Sequence, residues 1–310
     1  PYGVAAVDAG DIITKRSFTD VLPSFNMSFD FRPDVRLRLA YSRTMTLLDL
    51  NQWGGGFDVN YAIDTSVNPP IFRVTGGNSN GNPQLDPWRA DNFDASLEWY
   101  VGRSSLLSAA VFYIDVASFI QQGSIQRTDL PDNDGVVRNR TVTISTPIQG
   151  EGGTLKGVEL GAKLIASDFG MNGLLGKFGV DANFTYSPSD SGFKDLAGDT
   201  IPFQDNSRFQ GNAALFFEGG GLSARVAYNY RSKRAVSQNF GGITGLELYQ
   251  QPTNYFDATV SYDVNSNLTV YGQASNFTGE YEKYYLTFPE ERAYNNIYER
   301  RFAAGVRVKF

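Results

Sequence analysis

Apolar and polar residues alternate one by one along most of this chain. In 35–41, Val35, Leu37, Leu39 and Tyr41 fall on one side of the alternation and Arg36 and Arg38 on the other. A period of two is the signature of a β-strand with one apolar face, because successive side chains point to opposite sides of the pleat. The same pattern places Phe93, Ala95, Leu97, Trp99 and Val101 opposite Asp94, Ser96 and Glu98, and Phe178, Val180, Ala182, Phe184 and Tyr186 opposite Asp181, Asn183 and Thr185. It returns in Leu222, Ala224, Val226, Tyr228 and Tyr230, in Phe256, Ala258, Val260 and Tyr262, and in the closing strand. Counting these runs predicts about eleven strands, at 19–31, 35–46, 91–101, 106–122, 154–167, 176–187, 206–218, 222–235, 253–263, 268–278 and 298–310.

The connections are sorted as well. Short turns are expected at 32–34, 102–104, 218–221 and 263–267, with a longer one at 168–176. Between them lie long Gly-, Asn- and Pro-rich segments at 46–90, 123–153, 187–205, 235–252 and 279–297. Strict alternation of short and long connections predicts an up-and-down antiparallel meander whose turns are tight at one end and whose loops are long at the other, the habit of transmembrane β-barrels. An odd strand number with the last strand ending at the short-turn side predicts part of a larger barrel, since single-chain bacterial barrels have even numbers. On this reading 1–18 is the end of an extracellular loop and 19–310 is the C-terminal half of the barrel, or one part of a split one.

Composition removes most catalytic designs. The 310 residues include no Cys and no His, so thiol and Ser-His nucleophiles and the usual zinc sites are unavailable, and the chain reads as a non-enzyme with no cofactor and no metal site. A net charge of -6 without a basic cluster gives no footprint for nucleic acid. No stretch reaches the roughly 20 apolar residues of a membrane helix, a test that a barrel passes unseen because only alternate residues meet lipid.

The two faces of the predicted strands ask for different solvents. Tyr41, Trp99, Tyr186 and Tyr230 stand toward strand ends on the apolar face, where a lipid-facing band carries its aromatic girdles. Arg36, Arg38, Glu98, Asp181, Arg225 and Asp257 belong to the opposite, wet face. In the final strand Phe302, Ala304, Val306, Val308 and Phe310 alternate with Arg301, Gly305, Arg307 and Lys309. Gly305, Val308 and the terminal aromatic Phe310 resemble the insertion signal read by the barrel-assembly machinery of Gram-negative outer membranes, although Ala303 stands where a polar residue is usual.

Further motifs give the resemblance a family. Val21 to Asn26, Tyr41-Ser-Arg-Thr-Met45 with Asp49 and Leu50, and Gly81-Asn-Pro-Gln-Leu-Asp-Pro87 running into Ala90 to Phe93 are similar to segments of TonB-dependent receptors. So are Gly157-Val-Glu-Leu160, Asn254-Tyr-Phe-Asp257 and Tyr271 to Phe277. Within the family the chain looks most similar to the subgroup that takes up glycans. The resemblance implies about eleven strands of a 22-stranded barrel, an outer-membrane address, contact with outer-membrane lipid, and import of a small-molecule or glycan ligand driven by TonB acting through a plug that this chain does not contain.

Ligand contacts in such a receptor are expected in the loops. Trp53, Phe57 and Tyr61 could stack on sugar rings, with Asp49, Asn51, Asp58 and Arg89 as hydrogen-bond partners; the plainer alternative is loop packing. Tyr281, Tyr284, Tyr285 and Phe288 with Glu282 and Lys283 form a second aromatic cluster open to both readings. Asp129, Asp132, Asn133 and Asp134 before Gly135 could hold a calcium ion, but Asp-Gly in a polar run is first of all a turn. Two rival readings remain at this stage: a split or truncated receptor serving as a structural subunit of an outer-membrane complex, and a soluble carbohydrate-binding β-sandwich.

Overall fold

The computed structural model describes residues 15–310 apart from Phe57. Its main feature is one antiparallel sheet in which eleven strands follow one another in chain order. They are β1 (Ser24–Arg32), β2 (Val35–Thr46), β3 (Trp88–Val101), β4 (Ser105–Val116), β5 (Gly153–Ile165), β6 (Phe178–Tyr186), β7 (Phe209–Gly219), β8 (Leu222–Arg231), β9 (Thr253–Asn265), β10 (Leu268–Ser275) and β11 (Arg301–Val308). A two-residue strand, Ser189–Asp190, adds to β5. Among the described residues β1 and β11 do not pair with each other, so the sheet is open.

The meander and its eleven strands are those the alternation predicts. Val35–Thr46 is matched at both ends, whereas β1 and β11 start later than the pattern suggested, at Ser24 and Arg301. The antiparallel registers keep like with like. Val180 faces Leu215 and Leu164, Ala213 faces Tyr228, Val226 faces Ala258, and Val270 faces Val306, giving a continuous apolar face. Val226, Leu215, Val260 and Val306 on that face are about half exposed, and among the described residues no second sheet lies over them. A soluble sandwich would bury exactly this surface to gain its core. The structure offers no such core here, and the sandwich reading falls.

An aromatic row marks the long-loop end of the sheet. Tyr41 lies 4.9 Å from Phe93, Tyr186 5.2 Å from Phe209, and Tyr228 4.7 Å from Phe256. At the short-turn end Phe178 meets Phe217 at 5.0 Å and the Trp99 indole N–H donates to Asp34. Rings with a polar edge suit a membrane interface, where one side is apolar and the other wet.

Gly305 is explained by close approach. It pairs with Tyr271, whose ring lies over it, and a Cβ there would come 2.5 Å from the phenol oxygen. Gly179 takes the ring of its partner Phe216 in the same way. The chain end is tied down by its neighbour turn: Asn267 accepts from the Lys309 N–H through its carbonyl and donates its side-chain amide to the Lys309 carbonyl, each at 2.9 Å. Val308 closes β11 and Phe310 lies beyond it.

The chain divides into two compact units. Among the described residues one gathers 15–22, 43–90 and 116–152, and the other holds 23–42, 91–115 and 153–310. Each contains a small sheet that the alternation did not predict. In the first unit Asp58–Asp64, Ile71–Asn78, Val142–Gln149 and Ile120–Arg127 pair in that order, with a parallel step between Gly77 and Ile144. Their core is Val74, Leu130, Val142 and Ile144, with Val59 against it. In the second unit Arg234–Ser237, Leu248–Gln250, Glu282–Leu286 and Arg292–Asn296 form a sheet around Ala235, Tyr249 and Tyr285. The long connections are thus built structures, not open coils.

Candidate functional site

The polar face of the main sheet is a ladder of charges. Arg36 pairs with Asp30 at 2.6 Å, and Arg38 reaches Glu98 at 3.1 Å while the Tyr100 hydroxyl donates to the other Glu98 oxygen at 2.6 Å. Further along, Arg225 stands 4.0 Å from Asp181, and Ser275 and the Asn276 N–H both donate to Asp257. These are the residues that alternation assigned to the wet face. A polar hollow of about 1100 Å³ lies over this face, bounded by Lys163, Asp181, Arg225, Asp263, Arg307 and Lys309.

The first unit receives the residues expected to bind ligand, and it uses several of them for itself. The Trp53 indole N–H donates to the Leu85 carbonyl at 2.9 Å and its ring stacks on Phe18 at 5.8 Å. Arg89 is held bidentate by Asp20, at 2.5 and 3.1 Å. Asp49, Asn51 and Asp58 are exposed, the first two within the turn that leads into Trp53, and Phe57 lies outside the described residues. Trp53, Asp49 and Asn51 are therefore neighbours, whereas Asp58 opens a strand of the small sheet and Arg89 serves an ion pair.

The Gly-Asn-Pro-Gln-Leu-Asp-Pro run is the knot of this unit. The Asn82 side chain donates to the Pro147 carbonyl and accepts from the Gln84 N–H, each at 2.9 Å, while the Asn82 N–H reaches the Gln52 carbonyl. Leu85 is 1% exposed, and a Cβ on Gly81 would come 2.3 Å from the Asn51 carbonyl. Arg16 closes the knot from the other side, on the Leu85 carbonyl and Asp86. Gly81, Asn82, Leu85 and Asp86 of the motif thus each have a packing or bonding reason.

The candidate calcium loop is taken by arginines. The Asp132 side chain is fully buried and accepts from the Val74 N–H at 2.8 Å, from Arg138 at 2.5 Å and from both terminal nitrogens of Arg140. Arg138 also grips Asp134, and Asp129 pairs with Arg127. Carboxylates so neutralised have no charge left for a cation, and among the described residues no group of three or more acidic side chains is placed for a metal.

In the second unit three long connections meet at Glu247, a residue that no sequence signal marked. Its side chain is fully buried; one carboxyl oxygen accepts from the Asn239 N–H and the other has no partner. The Glu247 N–H donates to Thr287, whose hydroxyl donates to the Gly245 carbonyl, and the Leu196 N–H binds that same carbonyl at 2.9 Å. Burial pushes the Glu247 carboxyl above the usual carboxylate range; the Asn239 N–H only partly opposes this, and the charge of Asp195 adds to it. A raised folded-state value favours the neutral acid. The stability it contributes is complete below the ordinary glutamate range and is lost as pH rises through the raised value. We expect amide exchange in 239–250 and 282–287, corrected for its intrinsic pH dependence, to reveal opening that grows with pH, and Glu247→Gln to flatten that dependence.

The second aromatic cluster splits. Tyr284 and Tyr285 are buried, stacked on Tyr294 at 4.5 Å and on Tyr249 at 5.5 Å, whereas Tyr281 and Phe288 stay exposed. Glu282 gathers the Tyr284 hydroxyl at 2.7 Å and the Tyr298 hydroxyl at 3.1 Å.

Comparison with known proteins agrees with this architecture. The family model for "TonB dependent receptor-like, beta-barrel" matches residues 3–277. No curated protein matches the chain. Among solved structures, the ferric enterobactin receptor PfeA of Pseudomonas aeruginosa, crystallised as a mutant with enterobactin, is similar at a TM-score of 0.63 and 15% identity, over 93% of this chain and 40% of that one. The siderophore receptor PirA of Acinetobacter baumannii is similar at 0.61 and 15% identity, over 93% of this chain and 41% of that one. The FpvAI–pyocin S2 complex is similar at a TM-score of 0.58 and 15% identity, over 96% of this chain and 35% of that one. The chain spans about two fifths of the receptors PfeA and PirA, and at such identity the likeness speaks for the fold. The sequential meander, the paired charges of its polar face, its aromatic row and the family match over most of the chain lead to one conclusion: this chain belongs to the TonB-dependent receptor-like β-barrel family of the Gram-negative outer membrane.

Proposed function

We propose that this chain forms the C-terminal half of the barrel wall and ligand-facing loops of a TonB-dependent importer, a transporter and not an enzyme. The observation that carries the reading is the asymmetry of the main sheet. Its turns are short at one end, and at the other its connections are built into small sheets with their own cores. A wall that only separates two compartments has no need of ordered loops on one side; a receptor does. In this reading a plug and TonB act with the barrel, the Gly305, Val308 and Phe310 strand end guides assembly by the insertion machinery, and lipid covers the apolar face.

For the ligand we infer a neutral oligosaccharide in preference to an anionic iron chelate such as the enterobactin complex named for PfeA. In the unit that holds Trp53, six arginines, Arg16, Arg73, Arg89, Arg127, Arg138 and Arg140, are each already paired with a carboxylate. An anionic chelate needs cations free to receive it, whereas sugar rings need aromatic faces and neutral hydrogen-bonding groups. Trp53 with Asp49 and Asn51 is the place we assign to such a contact. Binding of maltodextrins and of ferric enterobactin to the purified full-length receptor tests this. Saturable maltodextrin binding weakened by Trp53→Ala supports it; binding of the iron chelate alone overturns the ligand class, and uptake that is independent of TonB overturns the importer.

A further inference from the structure

One short turn is unlike the others. The turns at Pro33-Asp34, Gly102 to Ser104, Gly220-Gly221 and Ser266-Asn267 are polar or glycine-only, but residues 166–177 between β5 and β6 form two 3-10 turns, Ala166–Phe169 and Leu175–Lys177, studded with large apolar side chains. Phe169, Met171, Leu174 and Leu175 are between 50% and 68% exposed. The one carboxylate of the segment is turned inward. Asp168 accepts from the backbone N–H groups of Arg103 and Ser104 and from the Ser105 hydroxyl, at 3.2, 2.9 and 2.8 Å, so it caps the neighbouring β3 to β4 turn. This capping ties the 3-10 turns to the neighbouring turn, and the apolar side chains stay exposed.

The surroundings say what covers them. The segment runs directly into Phe178, whose ring meets Phe217 on the apolar face of the sheet. By alternation Gly219 belongs to that same face, and the Lys177 side chain lies over it, where a Cβ would meet the lysine Cδ at 2.0 Å and its Cε and Nζ at 2.7 Å. An aliphatic stem laid along an apolar surface, with an ammonium at its end, is how a lysine spans the boundary between hydrocarbon and headgroups. Short turns of such barrels lie on the periplasmic side. We propose that 166–177 is a lipid-binding foot: its apolar side chains sit in the periplasmic leaflet of the outer membrane, continuous with the lipid face, and Lys177 meets the phosphates there. A periplasmic protein is the less suited occupant, because the turn offers it little charge or free hydrogen-bonding side chain by which to be recognised.

This chain has no cysteine of its own, so once any cysteine elsewhere in the full-length receptor is replaced by serine the label reports one position. The full-length receptor carrying Leu174→Cys, labelled with bimane and inserted in phosphatidylethanolamine and phosphatidylglycerol vesicles, is quenched by nitroxide-bearing phospholipids and by aqueous iodide; Ser266→Cys in a polar turn is the reference. The expected result is a blue-shifted label at 174, quenched several-fold more by the lipid nitroxide than by iodide, with the reverse order at 266. Equal iodide quenching at both sites overturns the proposal, and so does a label at 174 shielded from both quenchers, which would mean a protein cover. Phe169→Cys, on the other 3-10 turn, gives the same reading if Leu174→Cys does not insert.

Discussion

Replacing Asp132 with Ala is expected to open the small sheet of the first unit while leaving the main strands in place. The side chain is fully buried, and its two oxygens serve the Val74 N–H, Arg138 and Arg140 together. Arg138 keeps Asp134 as a partner, but Arg140 has no other carboxylate in its salt bridges, and its Nε already lacks one. Removing one member of a buried pair leaves the other charge uncompensated, at a cost of about 3 kcal/mol. The loss falls on the small sheet whose core cluster is Val74, Leu130, Val142 and Ile144. Limited proteolysis should therefore cut within 120–149 in the variant and not in the parent, and Asp132→Asn, which keeps an acceptor for Val74, should fall between them. The same site predicts acid sensitivity. Burial raises the Asp132 carboxyl, but Arg140, the Val74 N–H and Arg138 outweigh it and hold the group below its usual value. A depressed folded-state value contributes stability above the ordinary aspartate range, lost as pH falls through the lowered one. Acid should open 120–149 before it disturbs the main sheet.

Val226→Arg is the second large effect. Val226 lies midway along β8 on the apolar face, between Leu215 and Ala258, and is 48% exposed. An arginine at the midplane of a barrel's lipid face costs about 3 kcal/mol, because its hydration is lost with no partner to replace it. Gln273 on the polar face is exposed in the hollow that holds Arg225 and Asp263, and Gln273→Arg should change stability by no more than about 0.5 kcal/mol. Reversible unfolding from lipid vesicles by denaturant measures both. Equal costs on the two faces would contradict the assignment of solvents.

What could be read from the sequence follows from what alternation can see. Val35–Thr46 opens with clean alternation, Val35, Leu37, Leu39 and Tyr41 against Arg36 and Arg38, and its predicted bounds match. Leu248–Gln250 is buried on both sides and shows no alternation, and the parallel step from Gly77 to Ile144 joins residues far apart in the chain. Val59, Tyr61 and Ile63, and likewise Val142 and Ile144, do alternate, but over short runs inside Gly- and Pro-rich segments that read as loops. Asp132 looked like one more turn carboxylate; the partners that make it a hub, Arg138 and Arg140, stand shortly after it on alternate positions, a signal that was present but unread. Glu247 gave none, since its burial is produced by connections that meet only in the folded chain. Trp53 was rightly placed in a loop, but its bond to Leu85 and its stack on Phe18 could come only from tertiary structure.

Cysteine scanning along β8 in the native outer membrane tests the central claim most directly. The account predicts that single cysteines at Leu222, Ala224, Val226 and Tyr228 resist a membrane-impermeant maleimide added from the aqueous side of opened membranes, while those at Ser223, Arg225, Ala227 and Asn229 react, residue by residue in strict alternation. Uniform reaction along the strand, or alternation of the opposite phase, would contradict it.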